Sequence, residues 1–192
     1  MGLTIASLIK AYKTDAESTH HQLSHAVRID RERYLSRIDR QYGDHLVSNV
    51  TSRTLVSWHK GWAHGQKYAT GQAFIGQLRA LFRYGFLYLR DDDCRRLCGV
   101  LDNMKFATTK PRDARLTSAQ ADAIRSEARK IGWYSIALAQ AFQFELMMSQ
   151  KDVIGEWLPA MEAVGPAKVV EEGYVWGGGL FSGIRRPRAR GA

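Results

Sequence analysis

Six histidines, two cysteines and a run of three aspartates are the residues here whose types could do chemistry. His59 and His64 stand five apart around Gly61, whereas neighbours on a helix surface recur at three and four. His20 and His21 are adjacent and point to different faces. A zinc site needs about four converging ligands, so the histidines imply no metal. Cys94 and Cys98 are four apart in a helix-like run, which sets their Cβ atoms about 5–6 Å from each other. A disulfide wants roughly 3.5–4.5 Å, so two buried thiols and a reducing compartment are expected. Asp91, Asp92 and Asp93 suit the first turn of a helix, where carboxylates meet free N–H groups. Gly177, Gly178 and Gly179 lack the strand, lysine and hydroxyl context of a phosphate-binding loop. What remains is charge: 28 Lys+Arg against 19 Asp+Glu, a net +9. That balance favours a polyanion, nucleic acid first; the plainer reading is a soluble basic protein.

The elements that position these residues read as helices. Ile5, Leu8, Ile9 and Tyr12 share one side of a helix over 3–12. Thr14 with Glu17 has the form of a capping box opening a longer helix over 19–41. There Leu23, Val27, Tyr34, Leu35, Ile38 and Tyr42 recur near the helical period, with Arg28, Arg31, Arg33, Arg37 and Arg40 mostly off the stripe and Gly43 as the stop. Thr51 or Ser52 can cap a third helix carrying Leu55, Trp58 and Trp62. The clearest stripe is Phe74, Leu78, Leu81, Phe82, Gly85 and Leu89, with Arg79 and Arg83 a turn apart on another face. Gly71, Gly76 and Gly85 each cost roughly 1 kcal/mol of propensity against alanine, and Gly76 and Gly85 are expected to let a neighbouring helix approach. A fifth helix buries Cys94, Leu97, Cys98 and Leu101.

From 104 to 115 the apolar period fades into a basic linker or an ordinary solvated loop, holding Lys105, Lys110, Arg112 and Arg115. Thr117 with Gln120 then caps a helix lined by Ala123, Ile124, Ala128 and Ile131 and ended by Gly132. Ser135 can cap the next, with Ile136, Leu138, Ala139, Phe142 and Leu146 for burial. A weak strand or loop over 174–184 and a basic tail over 185–192 follow. The expected division is therefore 1–103, a linker 104–115, a second unit 116–184 and the tail. Membrane spans of about 18 apolar residues and signal-peptide order are not seen, so a cytoplasmic location is expected.

This order of motifs resembles a phage-type integrase of the tyrosine recombinase family. The resemblance rests on Leu8-Ile9-Lys10-Ala11-Tyr12, Tyr42-Gly43, Thr54-Leu55-Val56-Ser57-Trp58 and the run from Ala73 to Phe82, followed by Leu116-Thr117 opening a helix. The segments from Ala139 to Leu146 and from Gln150 to Trp157 complete it. It implies a mainly α chain: a helical, SAM-like core-binding domain, then an incomplete, largely helical start of a catalytic domain. It also implies a clamp around double-stranded DNA, other recombinase subunits as further partners, and no metal or cofactor. In that family a tyrosine attacks the scissile phosphate while arginine forks hold its oxygens.

The chain departs from this pattern. Ser149, three residues before Asp152, stands where the first arginine is expected. Tyr174 comes too early for the nucleophile, and the second arginine and later histidine have no match. The resemblance therefore implies DNA binding in site-specific integration or recombination without strand cleavage. The expected phosphate contacts are Lys60, Lys67, Arg79, Arg83, Lys105, Lys110 and Arg112. The alternatives are a non-catalytic helical regulatory or structural protein, or a degraded integrase gene product, for which apolar surface is expected around Leu138, Phe142, Leu146 and Trp157.

Overall fold

The first helix, α1 (Ile5–Thr14), begins where Thr4 can cap it. The Thr4 hydroxyl accepts from the Ser7 N–H at 3.1 Å, and the Ser7 hydroxyl accepts from the Thr4 N–H at 2.9 Å. Two of the helix's orphan donors are thus satisfied reciprocally. Ile5, Leu8, Ile9 and Tyr12 are all buried, as their spacing predicts. The computed structural model describes residues 2–109, 113–162 and 170–177. The chain is mainly helical, with a small antiparallel sheet near its end. It divides into two compact units, Met1–Pro111 and Arg112–Ala192.

Thr14 does not open the second helix. Its hydroxyl donates back to the Lys10 carbonyl at 3.0 Å, while the Asp15 carboxylate takes the Glu17 N–H at 3.0 Å. Aspartate's short acceptor makes a local turn more readily than threonine's hydroxyl, and it diverts the chain into turns that bury Ser18 and His20. Helix α2 (His25–Tyr42) therefore starts later than expected. Leu35 and Ile38 reach the core, but Val27, near its start, is exposed. Gly43 ends α2 with φ −55°, a right-handed conformation open to any residue. Its value is space: a Cβ there would stand 2.5 Å from the Asp39 carbonyl oxygen and 3.3 Å from Ala6 Cβ. The Ala6 N–H donates to the Gly43 carbonyl at 2.9 Å, so α1 crosses here at close range.

Thr51 caps α3 (Ser52–Trp62) reciprocally with Thr54. Helix α4 (Tyr68–Leu87) is the centre of this unit and packs against α1, α2, α3 and α5. It buries Phe74, Ile75, Leu78, Leu81, Phe82, Tyr84 and Gly85. Leu89, expected on the stripe, lies beyond the end of α4 and is exposed. Asp91 caps α5 (Asp92–Asn103), its carboxylate accepting from the Cys94 N–H at 2.7 Å. Gly85 meets Cys94 and Leu8, which explains a glycine there, but a Cβ on Gly76 would meet nothing within 4 Å. The close approach expected at Gly76 occurs instead at Gly71, against His59 and Ala63. Cys94 and Cys98 are free thiols, and burial pushes both above the usual thiol range.

The loop over 15–23 is tied down by polar contacts. Tyr84 donates to Asp15 Oδ2 at 2.6 Å, the Tyr12 and Thr19 hydroxyls lie 3.4 Å apart, and His20 Nε2 lies 3.4 Å from Glu32. Burial and the Asp15 carboxylate push the Tyr84 phenol up to about 12, while that bond holds Asp15 below the usual carboxylate range. An unfolded tyrosine titrates near 10. The Tyr84 contribution to stability is thus complete below about pH 10 and is lost as pH rises through about 12. The Asp15 contribution is complete above its unfolded value of about 3.9 and is lost as pH falls through its lower folded value. A carbon-13 titration of Tyr84 Cζ should place its midpoint near 12, and Asp15→Asn should bring it down. A Tyr84 midpoint near 10 in the native chain would refute this coupling.

In the second unit, Thr117 and Gln120 cap α6 (Ser118–Lys130) as expected, and Gly132, at φ 80°, provides the left-handed exit. The buried face differs from the expected one. Ala121, Arg125 and Ala128 point inward, whereas Ile124 and Ile131 are exposed, and so is Ala123. Arg125 decides the rotation. Its guanidinium donates to Asp122 at 2.5 Å and to Glu145 on α7 (Tyr134–Glu145) at 2.9 Å. A buried cation with two carboxylate partners is well compensated, and the alanines beside it let α7 come close through Ala137.

Trp133, not Ser135, precedes α7, without a side-chain cap. Ile136, available for burial on its spacing, is exposed; Leu138 and Leu146 are exposed too, where exposed apolar surface is expected, and Phe142 is half-buried. After α8 (Gln150–Ile154), strands β1 (Glu156–Pro159), β2 (Val170–Glu171) and β3 (Tyr174–Gly177) form an antiparallel sheet in the order β1-β3-β2. Trp157 lies opposite Trp176, their rings edge to face at 5.1 Å. Of the weak strand or loop expected over 174–184, residues 174–177 form β3, and the remainder, with the 185–192 tail, lies outside the described residues. No helix among the described residues is long and apolar enough to cross a membrane.

Candidate nucleic-acid interface

Helix α4 positions one row of polar side chains toward α5 and the segment that follows it. Gln72, Arg79 and Arg83 are seven and four residues apart, which places them on one face. Arg79 donates to the Leu101 carbonyl at 3.0 Å. The last carbonyls of a helix lack intrahelical partners, so this half-buried arginine caps α5 and has only part of its fork left for a ligand. Arg83, one turn further, is exposed. Its charge reaches Cys98 on α5, where it pulls against the burial that raises the thiol. Gln72 donates its amide to the Phe106 and Ala107 carbonyls, at 3.2 Å each.

The segment after α5 is consequently not a free strap at its start. Met104 and Phe106 pack against the core of the first unit, and the Phe106 ring lies 4.8 Å from the buried His59 ring. Lys105, between them in sequence, is exposed. Lys60, in the last turn of α3, is exposed as well. These two lysines line one cleft of about 380 Å³ with Val56, His59, Tyr68 and Phe106. Among the described residues, neither lysine has an ion-pair partner. Burial lowers the His59 pKa, so His59 adds no charge to the cleft at neutral pH. Its Nε2 is buried without a partner, against Gly71.

The cations therefore follow one seam, from Arg83, one turn beyond Arg79 on the same face of α4, through Arg79 on Leu101, to Lys105 and Lys60 at the cleft. Lys67 is exposed just before α4 and does not line the cleft. Lys110 and Arg112 lie outside the described residues. Nothing in their spacing marks Gln72 or His59 as parts of this site. Phe106 was visible only as a lone aromatic in a stretch where the period had faded, and the packing partner that gives it meaning is 47 residues earlier.

A second basic surface on α2 is more neutralised. Arg33 pairs with Asp30 at 3.3 Å, and Arg37 sits over the Phe74 ring at 5.2 Å. In the second unit, Ser149 caps α8: it accepts from the Asp152 N–H at 3.3 Å and donates to Asp152 Oδ2 at 2.6 Å. Its hydroxyl is engaged within its own turn. The nearby Lys151 is paired with Glu156. Leu138, Leu146 and Trp157 are exposed. No group of His, Cys, Asp and Glu able to hold a metal is found among the described residues. Comparison with protein-family models, with curated proteins and with solved structures finds no match to this chain.

Proposed function

We propose that the first unit binds double-stranded DNA along the Arg83–Arg79–Lys105–Lys60 seam, as the DNA-gripping part of a site-specific recombinase of the tyrosine recombinase kind. The observation that carries this reading is the unpaired state of Lys60 and Lys105 beside a seam that also holds Arg83. Exposed cations of one sign held on packed helices release counterions when they meet a phosphate backbone. Arg79 serves chiefly to hold the end of α5 in register, so its loss would act on fold and binding together. Lys67, Lys110 and Arg112 remain further phosphate contacts under this reading, with other recombinase subunits as partners.

Strand cleavage is not part of the proposal. The position matched to a phosphate-clamping arginine is a serine occupied with its own helix cap. Loss of one such donor costs several kcal/mol in a transition state. A nicked suicide substrate should give no covalent protein–DNA adduct, and a single adduct would overturn this part.

A test of the binding role is the triple variant Lys60→Ala, Arg83→Ala, Lys105→Ala. Each lost phosphate contact removes about 0.9 from the slope of log K against log salt. The variant should therefore bind a duplex more weakly, with a slope shallower by about 2.7. Exposed positions of this kind change stability by no more than about 0.5 kcal/mol each, so folding should be retained. An unchanged slope would refute the seam. The reading as a non-catalytic helical regulatory or structural protein draws on a different observation, the exposed Ile124, Ile131, Ile136 and Leu138 of α6 and α7. A folded chain that binds no duplex at low salt would favour it.

A further inference from the structure

The cleft at the end of the seam has a composition that phosphate contacts alone do not use. Lys60 and Lys105 supply positive charge without a carboxylate among the lining residues, and Phe106 and Tyr68 supply half-buried aromatic surface. The Phe106 wall is fixed from both sides. Its ring rests on His59, and its carbonyl is held by the Gln72 amide. A volume of about 380 Å³ suits one planar heterocycle rather than a stacked pair. Aromatic faces take any base by stacking, while ammonium groups take the phosphate attached to it.

From this we infer that the cleft takes a single unpaired nucleotide, its base against Phe106 and Tyr68 and its phosphate between Lys60 and Lys105. The inference rests on the nucleic-acid reading above and adds to it a preference for DNA with a base outside the helix. The same chemistry is offered by a free mononucleotide. The strand supplies the nucleotide in this account, because the cleft continues a seam suited to a backbone. A base out of its stack also costs the duplex least where it has no partner.

The experiment compares three probes on the full chain: a fully paired duplex, the same duplex with one unpaired 2-aminopurine, and a deoxynucleoside monophosphate. The unpaired duplex should bind roughly tenfold more tightly than the paired one, in line with one stacked base, and its 2-aminopurine emission should be quenched. Phe106→Ala should bring the ratio of the two affinities close to one. Because Phe106 also packs on the core, Phe106→Leu keeps apolar volume, removes the ring and should lower the ratio in the same way. Binding of both duplexes with equal affinity and no change in emission would sink the cleft assignment and leave the seam standing. Binding of neither duplex at low salt would remove both readings. Tight binding of the mononucleotide, with no preference between duplexes, would show a free-nucleotide site and overturn the assignment to the strand.

Discussion

Trp62→Ala is expected to cost the first unit about 3–5 kcal/mol, the range for truncating a buried tryptophan. Trp62 is 3% exposed. Its ring stacks on Phe74 at 4.4 Å and meets Tyr42 edge to face at 5.6 Å. Its indole N–H donates to Gln41 Oε1 at 2.8 Å. Alanine would remove the ring that joins α3 to α4, while the exposed Gln41 amide is left to water, so the cost is chiefly that of the cavity. Since whole domains hold only about 5–15 kcal/mol, the variant should sit near the edge of folding. Chemical denaturation followed by circular dichroism would measure it. The contrast is Trp133→Ala, at a side chain 60% exposed, which should change stability by less than about 1 kcal/mol. A Trp62 loss below about 1 kcal/mol would mean that the aromatic cluster does not bind these helices together.

Gly85→Ala should destabilise, while Gly76→Ala, nine residues earlier on the same helix, should stabilise. Alanine in a helix interior is normally better than glycine by roughly 0.5–1 kcal/mol, because less backbone entropy is lost. Nothing opposes that gain at Gly76, where a Cβ meets open space. At Gly85 a Cβ would stand 2.4 Å from Cys94 Sγ, 3.1 Å from Cys94 Cβ and 3.1 Å from Leu8 Cδ1. Cys94 and Leu8 are fully buried on α5 and α1, so the Cys94 side chain must move and Leu8 must give by a few tenths of an ångström inside a packed core. Overpacking of this kind costs about 1–3 kcal/mol, more than propensity returns. Opposite signs from one substitution at two positions of α4 would confirm that α1, α4 and α5 meet at Gly85. Two gains of similar size would contradict it.

The helices were legible in the sequence where one mechanism ruled. Thr51, Asp91, Thr117 and the stripe through Phe74 to Gly85 act through local capping and helical period, and both are written in neighbouring residues. Thr14 misled because Asp15, one position on, competes for the same turn. Ile124 and Ile131 misled for a different reason. Apolar periodicity gives arginine no inward place, yet two carboxylates, one of them on another helix, draw Arg125 inside. The candidate site was less legible still. Arg79, Arg83, Lys60 and Lys105 could be named as cations, but a charge acquires a role only from its neighbours in space. Arg79 is occupied by the Leu101 carbonyl, and Lys105 gains its place from Gln72 and His59 through Phe106. Those partners lie 22 to 46 residues away, beyond any local pattern.

Whether this surface meets a phosphate backbone decides the proposed role. Fluorescence anisotropy of a labelled duplex, titrated with the chain at several salt concentrations, measures that directly. Binding at low salt with log K falling linearly against log salt, by at least about 2.7 per decade if Lys60, Arg83 and Lys105 each neutralise one phosphate, is the predicted result. A folded chain whose affinity does not respond to salt, or which leaves the duplex free at the lowest salt, would contradict it.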